Sequence, residues 1–442
     1  MRVRRGMWAI LPVSLALLVL VAITIAILFD QGQTSRTRHL QLPPLTGPAQ
    51  VGTISLVLVD PSRGDPLAPS GRRELMIQVW YPARDVAEFP LAPYMPATTA
   101  RLFEQSAQLP SGTIANTNTR AHLGAPIAAG RRAVVLYSPG LGDLRFDATA
   151  LVENLASLGY IVITIDHTLE APFVEFPDGR IERAPIPFSG PGSAQNGVTP
   201  PVLDRRVADV RLVLDRLPQI DAGGRFAGHL DLRHVGMFGF SLGGATAAET
   251  MLFDSRISAG VDLDGAPQGP VATAGLKRPF LVMLAPKDLT LIPSMARFVR
   301  SLLGPHLVLQ LAASGHVTFS DLVWMKSQLA TIVPTLARTI PSGSIPASEA
   351  VDAESAYLAA FFDTYLRGHS SPLLQGPHRA LPAVSFLTSP HRDTTALGRT
   401  VRAICSPGSP RLPWSNWCRL SARLGSDKPW TRRRTTGGSD PT

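Results

Sequence analysis

Between residues 51 and 311 the chain alternates short, continuously apolar runs with longer stretches in which apolar residues recur every three or four positions. The short runs are Thr53–Val59, Leu75–Tyr81, Ala133–Tyr137, Ile161–Ile165, Val235–Phe238, Gly260–Leu263, Phe280–Leu284 and Leu307–Leu311. Several are apolar at every position, as expected of strands covered on both faces rather than half-exposed. Leu203, Val207, Val210, Leu214 and Leu217 step by four and three through an otherwise charged segment, which marks one stripe of an amphipathic helix. Similar patterns occupy 146–158, 242–253, 292–303, 321–338 and 349–367. Strand and helix in alternation predict an α/β fold with a mainly parallel sheet of about eight strands and helices on both faces. The first two strands are expected to pair as an antiparallel hairpin.

The ends of the chain depart from this pattern. Met7 to Phe29 is an uncharged stretch of 23 residues preceded by Arg2, Arg4 and Arg5. At ~1.5 Å per residue such a helix would cross a bilayer core of ~30 Å, and it is longer than the apolar region of a cleaved signal peptide. The expectation is therefore one N-terminal transmembrane helix, a signal anchor over 1–30. It would place a membrane-anchored catalytic domain outside the cytoplasm, or a secreted one if the segment is cleaved. Residues 31–50 read as a linker, 51–388 as the catalytic domain, and 389–442, rich in Pro, Ser, Gly, Thr and Arg, as a basic disordered tail.

Charge needs its location before it means anything. The 442 residues carry a formal +9, but residues 1–40 hold +4 and 391–442 hold +7, so the body between is slightly negative. A near-neutral body argues against a nucleic-acid partner. With 45% apolar and 17% charged residues the chain as a whole is not disordered. The two cysteines, Cys405 and Cys418, lie in the tail, so neither a disulfide framework nor a cysteine metal cluster supports the core, and no cofactor or metal is implied.

The chemistry is concentrated after the fifth run. His234-Val235-Gly236-Met237-Phe238-Gly239-Phe240-Ser241-Leu242-Gly243-Gly244 is an apolar strand, a Gly-x-Ser-x-Gly and the start of a helix. In that context the motif is a nucleophile elbow, in which Gly239 and Gly243 give room where strand and helix approach. A serine hydroxyl needs an imidazole base and an orienting carboxylate. His316, in Ala313-Ser314-Gly315-His316, directly follows the last run and so sits at the C-terminal end of its strand, whereas His306 precedes that strand. Two acids fit the third role, Asp264 at the end of the Gly260–Leu263 strand and Asp288 after the next. An oxyanion formed on acyl transfer requires two N–H donors, expected from Leu242 and, in Ser138-Pro139-Gly140-Leu141-Gly142, from Leu141.

Taken together, Val51-Gly52-Thr53, Asp60-Pro61-Ser62-Arg63, the Arg72–Pro82 run RRELMIQVWYP, Ser138-Pro139-Gly140-Leu141-Gly142, the elbow GFSLGG, Leu263-Asp264 and Gly315-His316 resemble the plasma-type platelet-activating factor acetylhydrolase family and its bacterial lipase-like relatives over 51–386. The resemblance implies an α/β-hydrolase fold. It also implies a calcium-independent serine esterase that removes short or oxidised acyl chains from phospholipids, with Ser241, Asp264 and His316 as triad and Leu141 and Leu242 as oxyanion donors. It favours Asp264 over Asp288. Phe240 and Pro139 depart from the family, whose animal members carry His at both places, and these departures bear on the substrate rather than on the triad. The expected function is hydrolysis of lipid or other hydrophobic short-acyl esters through an acyl-serine. An acyltransferase using the same intermediate and a silent hydrolase-fold binding protein are the rivals.

Overall fold

The runs that are apolar throughout become the centre of one sheet, because only a strand covered on both faces hides such a run from water. The computed structural model describes residues 39–65, 71–184, 200–286 and 293–388. Among these, eleven strands form a single sheet: β1 (Gln50–Gly64), β2 (Arg72–Ala83), β3 (Leu91–Pro93), β4 (Asn118–Leu123), β5 (Arg132–Ser138), β6 (Ile161–Ile165), β9 (Leu230–Phe240), β10 (Ile257–Leu263), β11 (Phe280–Leu284), β12 (His306–Leu311) and β13 (Val384–Phe386). The short strands β7 (Phe173–Glu175) and β8 (Ile181–Arg183) make a separate hairpin.

The sheet order is β13-β12-β11-β10-β9-β5-β6-β2-β1-β4-β3. From β12 through β6 every neighbour is parallel, while β12/β13, β2/β6, β1/β2 and β3/β4 are antiparallel. The expected sheet of about eight strands is therefore larger and more mixed than predicted, with the expected β1/β2 hairpin inside it. Chain order reverses between β5 and β9, and in open α/β sheets the crevice beyond the strand ends at such a point is where ligands bind.

Both faces are covered. Gly236 and Gly239 on β9 are an odd number of residues apart and so point to opposite faces. A Cβ on Gly236 would lie 2.7 Å from Phe362 of the Ala347–Arg367 helix, and one on Gly239 would lie 2.2 Å from Gly243 of the Leu242–Phe253 helix. The main core gathers Trp80, Tyr137, Tyr160, Phe238, Phe361 and Phe362, all at most 1% exposed.

The segment read as a linker enters the described residues at His39, and there it is packed rather than free-standing. Leu40 and Leu42 are buried, and Arg120 donates to the carbonyls of Leu42 at 2.7 Å and Pro43 at 2.5 Å. The transmembrane helix expected over Met7–Phe29 lies outside the described residues. No helix among those described is long and apolar enough to cross a membrane, which corrects the expected fold on that point. Asp288 and the tail with Cys405 and Cys418 also lie outside the described residues.

Candidate active site

The elbow is built by close approach of backbone to backbone. β9 ends at Phe240, and Ser241 takes φ 55° and ψ −121° before the Leu242–Phe253 helix begins. Such angles cost a residue with a Cβ on the order of 1–3 kcal/mol. The turn is held because the Ser241 N–H donates to the Leu263 carbonyl at 2.8 Å. It also requires Gly243, whose Cβ would stand 1.9 Å from the Ser138 carbonyl oxygen. The result lifts the Ser241 hydroxyl clear of the sheet end, beside the positive end of the helix dipole.

His316 opens the short turn His316–Phe319 after β12, which is fixed where the Gly315 N–H donates to Thr318 Oγ1 at 2.9 Å and Thr318 Oγ1 donates to the Ser342 carbonyl at 2.7 Å. Its Nε2 lies 2.9 Å from Ser241 Oγ and its Nδ1 lies 2.7 Å from Asp264 Oδ2. The ring is half-exposed and rests against Phe240 with centroids 4.9 Å apart. Asp264 is fully buried at its side chain, and its other oxygen accepts the Ala285 N–H at 2.8 Å. Both oxygens therefore accept, as suits an ionised carboxylate that orients an Nδ1–H imidazole.

Asp262, two residues before Asp264, is spent elsewhere. Its Oδ1 accepts the Gly265 N–H at 2.7 Å beneath the start of the helix. Burial, together with the nearby Asp264 charge and against that one bond, pushes its carboxyl well above the usual range. Leu242 is the first helical residue and Leu141 lies in the loop after β5; both pack in one small apolar cluster with Leu203 and Ala245. The structure thus brings together Ser241, His316 and Asp264, with Leu141 and Leu242 adjoining them.

A cavity of about 110 Å³ opens beside this constellation, lined by Tyr94, Phe103, Ile114, Phe240, Val317 and Met325 among others. Phe240 precedes Ser241 and rests on the His316 ring, and Val317 follows His316, so the cavity is lined by immediate neighbours of both. Carboxyls gather around it. Burial, partly opposed by Arg206 and His316, raises Asp143 to about 6. Burial also raises Asp321 to about 7, against bonds from the Ala150 N–H, the Tyr94 hydroxyl and the Thr149 N–H.

Deeper on the same side, burial raises Glu153 to about 8 against its bond from the Arg120 N–H. The sign of the resulting pH dependence follows from linkage. Groups with raised folded values hold their stability below the unfolded values of about 4 and lose it as pH rises through the folded ones. The melting temperature is therefore expected to decline between about pH 5 and 8, and Glu153→Gln, which keeps a neutral group there, should flatten that decline in a series of thermal melts.

Sequence reasoning missed a second, sealed constellation behind the loop that follows β5. Ser138 Oγ lies 2.9 Å from His167 Nε2, and His167 Nδ1 lies 3.0 Å from Asp209 Oδ2, with all three residues at most 1% exposed. Burial would raise Asp209, but Arg73 and the His167 bond hold its carboxyl below the usual range. Burial and Arg206 lower His167, against the bond to Asp209 and the nearby Glu170. Arg206, also buried, completes the group through Glu170 Oε1 at 2.7 Å and the carbonyls of Pro139 at 2.6 Å and Gly140 at 2.8 Å.

No family model matches the chain. Among curated proteins it is 30% identical over 273 residues to a probable 1-alkyl-2-acetylglycerophosphocholine esterase of Arthroderma benhamiae, across 58% of this chain and 66% of that protein. It is 25% identical over 256 residues to a platelet-activating factor acetylhydrolase of Cavia porcellus, across 51% of this chain and 56% of that protein. The chain thus spans less than two thirds of the length of either curated relative. Among solved structures it is similar to a ferulic acid esterase from Streptomyces cinnamoneus, with a TM-score of 0.67 and 37% identity, covering 79% of this chain and 99% of that one.

Proposed function

The chain belongs to the platelet-activating factor acetylhydrolase-like family of esterases, and from that premise we propose that it hydrolyses short-acyl carboxylic esters of hydrophobic alcohols, lipid alcohols included, through an acyl-serine. The observation that carries the reading is the continuous relay Ser241 Oγ to His316 Nε2 at 2.9 Å and His316 Nδ1 to Asp264 Oδ2 at 2.7 Å. In this reading Ser241 Oγ attacks the ester carbonyl while His316 Nε2 takes its proton, and Asp264 stabilises the imidazolium that forms. The carbonyl oxygen becomes an oxyanion between the N–H groups of Leu141 and Leu242. Collapse breaks the ester C–O bond, and the alcohol leaves with the proton from His316. Water then repeats the sequence on the acyl-serine, giving the carboxylic acid and restoring Ser241.

The acyl side is argued from volume. An apolar cavity of ~150 Å³ holds one benzene ring, whereas the cavity beside Ser241 is about 110 Å³. That supports an acyl group of a few carbons over a long chain or an aromatic acid. The solved relative is named for ferulic acid, so an aromatic acyl group is the outcome to test against.

The test is a p-nitrophenyl ester series from acetate to palmitate with methyl ferulate alongside. kcat/KM should be greatest at two to four carbons and fall by about tenfold or more towards palmitate, since an acyl group that overfills its pocket loses transition-state binding. A maximum at palmitate or on the ferulate would overturn the short-acyl assignment.

A further inference from the structure

The buried group around Arg206 has no access to substrate, yet it touches the backbone on which the proposed oxyanion donor sits. Its hydrogen bonds run in one direction. Asp209 also accepts from Arg73 Nε at 3.0 Å and Arg63 at 2.9 Å, so it is an ionised acceptor and His167 Nδ1 must carry the proton. Arg206 also donates to the Ser138 hydroxyl oxygen at 3.4 Å, which leaves the hydroxyl proton for His167 Nε2. This second serine is thereby committed as a donor and closed to solvent, so it anchors the end of β5 and is not a second nucleophile.

Immediately after Ser138, Arg206 holds two successive carbonyls, those of Pro139 and Gly140. In a planar trans peptide the C=O and N–H point in opposite directions. Tying the Gly140 carbonyl to the buried guanidinium therefore turns the N–H of the same peptide unit, which belongs to Leu141, away from the interior and towards the crevice. Two carbonyls on one planar fork also fix the loop's rotation, which a single bond would leave free. Glu170 holds the fork from its other side at 2.7 Å.

We propose that Arg206 is a positioning residue for the oxyanion site: clamped by Glu170, it holds the carbonyls of Pro139 and Gly140 and so aims the Leu141 N–H at the oxygen that becomes negative during acyl transfer. The inference rests on the proposed acyl-serine chemistry at Ser241. It explains why a charged triad-like cluster is retained where no substrate reaches: preorganised donors act only if they do not have to reorient when the charge forms.

The experiment uses the full chain with p-nitrophenyl acetate, a short-acyl trifluoromethyl ketone that adds to serine as a charged hemiketal, and thermal melts. Arg206→Lys keeps the charge beside Glu170, but one ammonium cannot reproduce a fork across two carbonyls and a carboxylate. It should lower kcat by about 10²-fold, the effect of losing one oxyanion donor, with KM within about twofold. The ketone should lose affinity by the same factor as kcat/KM, because it too needs the donor. A double variant, Arg206→Met with Glu170→Leu, removes both charges so that neither is left buried alone, and should show the same kinetics.

A folded variant with unchanged kcat, or one whose kcat falls while the ketone binds as before, would overturn the proposal. Failure of both variants to fold would assign Arg206 to the fold alone and overturn it as well. Fluorophosphonate labelling of the unmodified protein separates the two levels. A protein that neither labels nor hydrolyses esters loses the proposed function, whereas an active protein indifferent to Arg206 loses only this inference.

Discussion

Ser241→Ala is expected to lower kcat on p-nitrophenyl acetate by at least about 10⁴-fold, because members of a serine relay act as a unit and the remainder falls back on binding and the oxyanion site. The fold should survive. Alanine at φ 55° is as strained as serine, and the substitution removes one bond, that to His316 at 2.9 Å, so stability should change by no more than about 1 kcal/mol. Loss of fluorophosphonate labelling should accompany loss of turnover. Ser138, the other serine bonded to a histidine, is completely buried and cannot substitute for it. A Ser241→Ala protein that still takes up the probe places the nucleophile elsewhere.

Asp264→Asn should lower kcat by roughly 10⁴-fold while leaving shape nearly unchanged. The amide can still receive the Ala285 N–H through its oxygen, but it presents a dipole where His316 requires a charge. It also permits the wrong imidazole tautomer, with the proton on Nε2 facing Ser241. Asp262→Asn is the matched control. Burial holds the Asp262 carboxyl well above the usual range and it bonds only the Gly265 N–H among the contacts described, so an amide reproduces its role and kcat should change little. The ratio of the two losses, with melting temperatures measured beside them, decides the assignment. A crippled Asp262→Asn with an active Asp264→Asn reverses it.

What the sequence disclosed and what it hid follow from the same physics. β5, β6 and β9 to β12 were legible because a strand buried on both faces has to be apolar at nearly every position. β4 was not: Asn-Thr-Arg-Ala-His-Leu is polar, lies near the sheet's edge and pairs along only part of its length. β3 and β13 are three residues each, too short to show a period. Ser241 and Asp264 were legible because each follows a readable strand directly, and His316 because it lies in the loop after one.

Arg206 was hidden within an apparent charged face. It stands three residues after Leu203 and four before Val210, on the apolar stripe itself, and a charge at such a position signals a buried polar partner. His167 follows β6 as His316 follows β12, so position alone could not separate the two. It precedes the serine in the chain, whereas the triad of an α/β-hydrolase runs serine, acid, histidine.

The left-handed turn at Ser241 makes that position the place where selection for durability and selection for turnover pull apart. Its φ of 55° and ψ of −121° are angles that glycine adopts without penalty. A glycine there would recover on the order of 1–3 kcal/mol of backbone strain while deleting the hydroxyl. A library of this protein screened only for heat resistance will therefore be drawn towards inactive sequences at this codon. By the same logic, a hardier homologue with glycine at the equivalent place has left the family's chemistry behind, and thermal adaptation that preserves function has to be sought in other parts of the molecule.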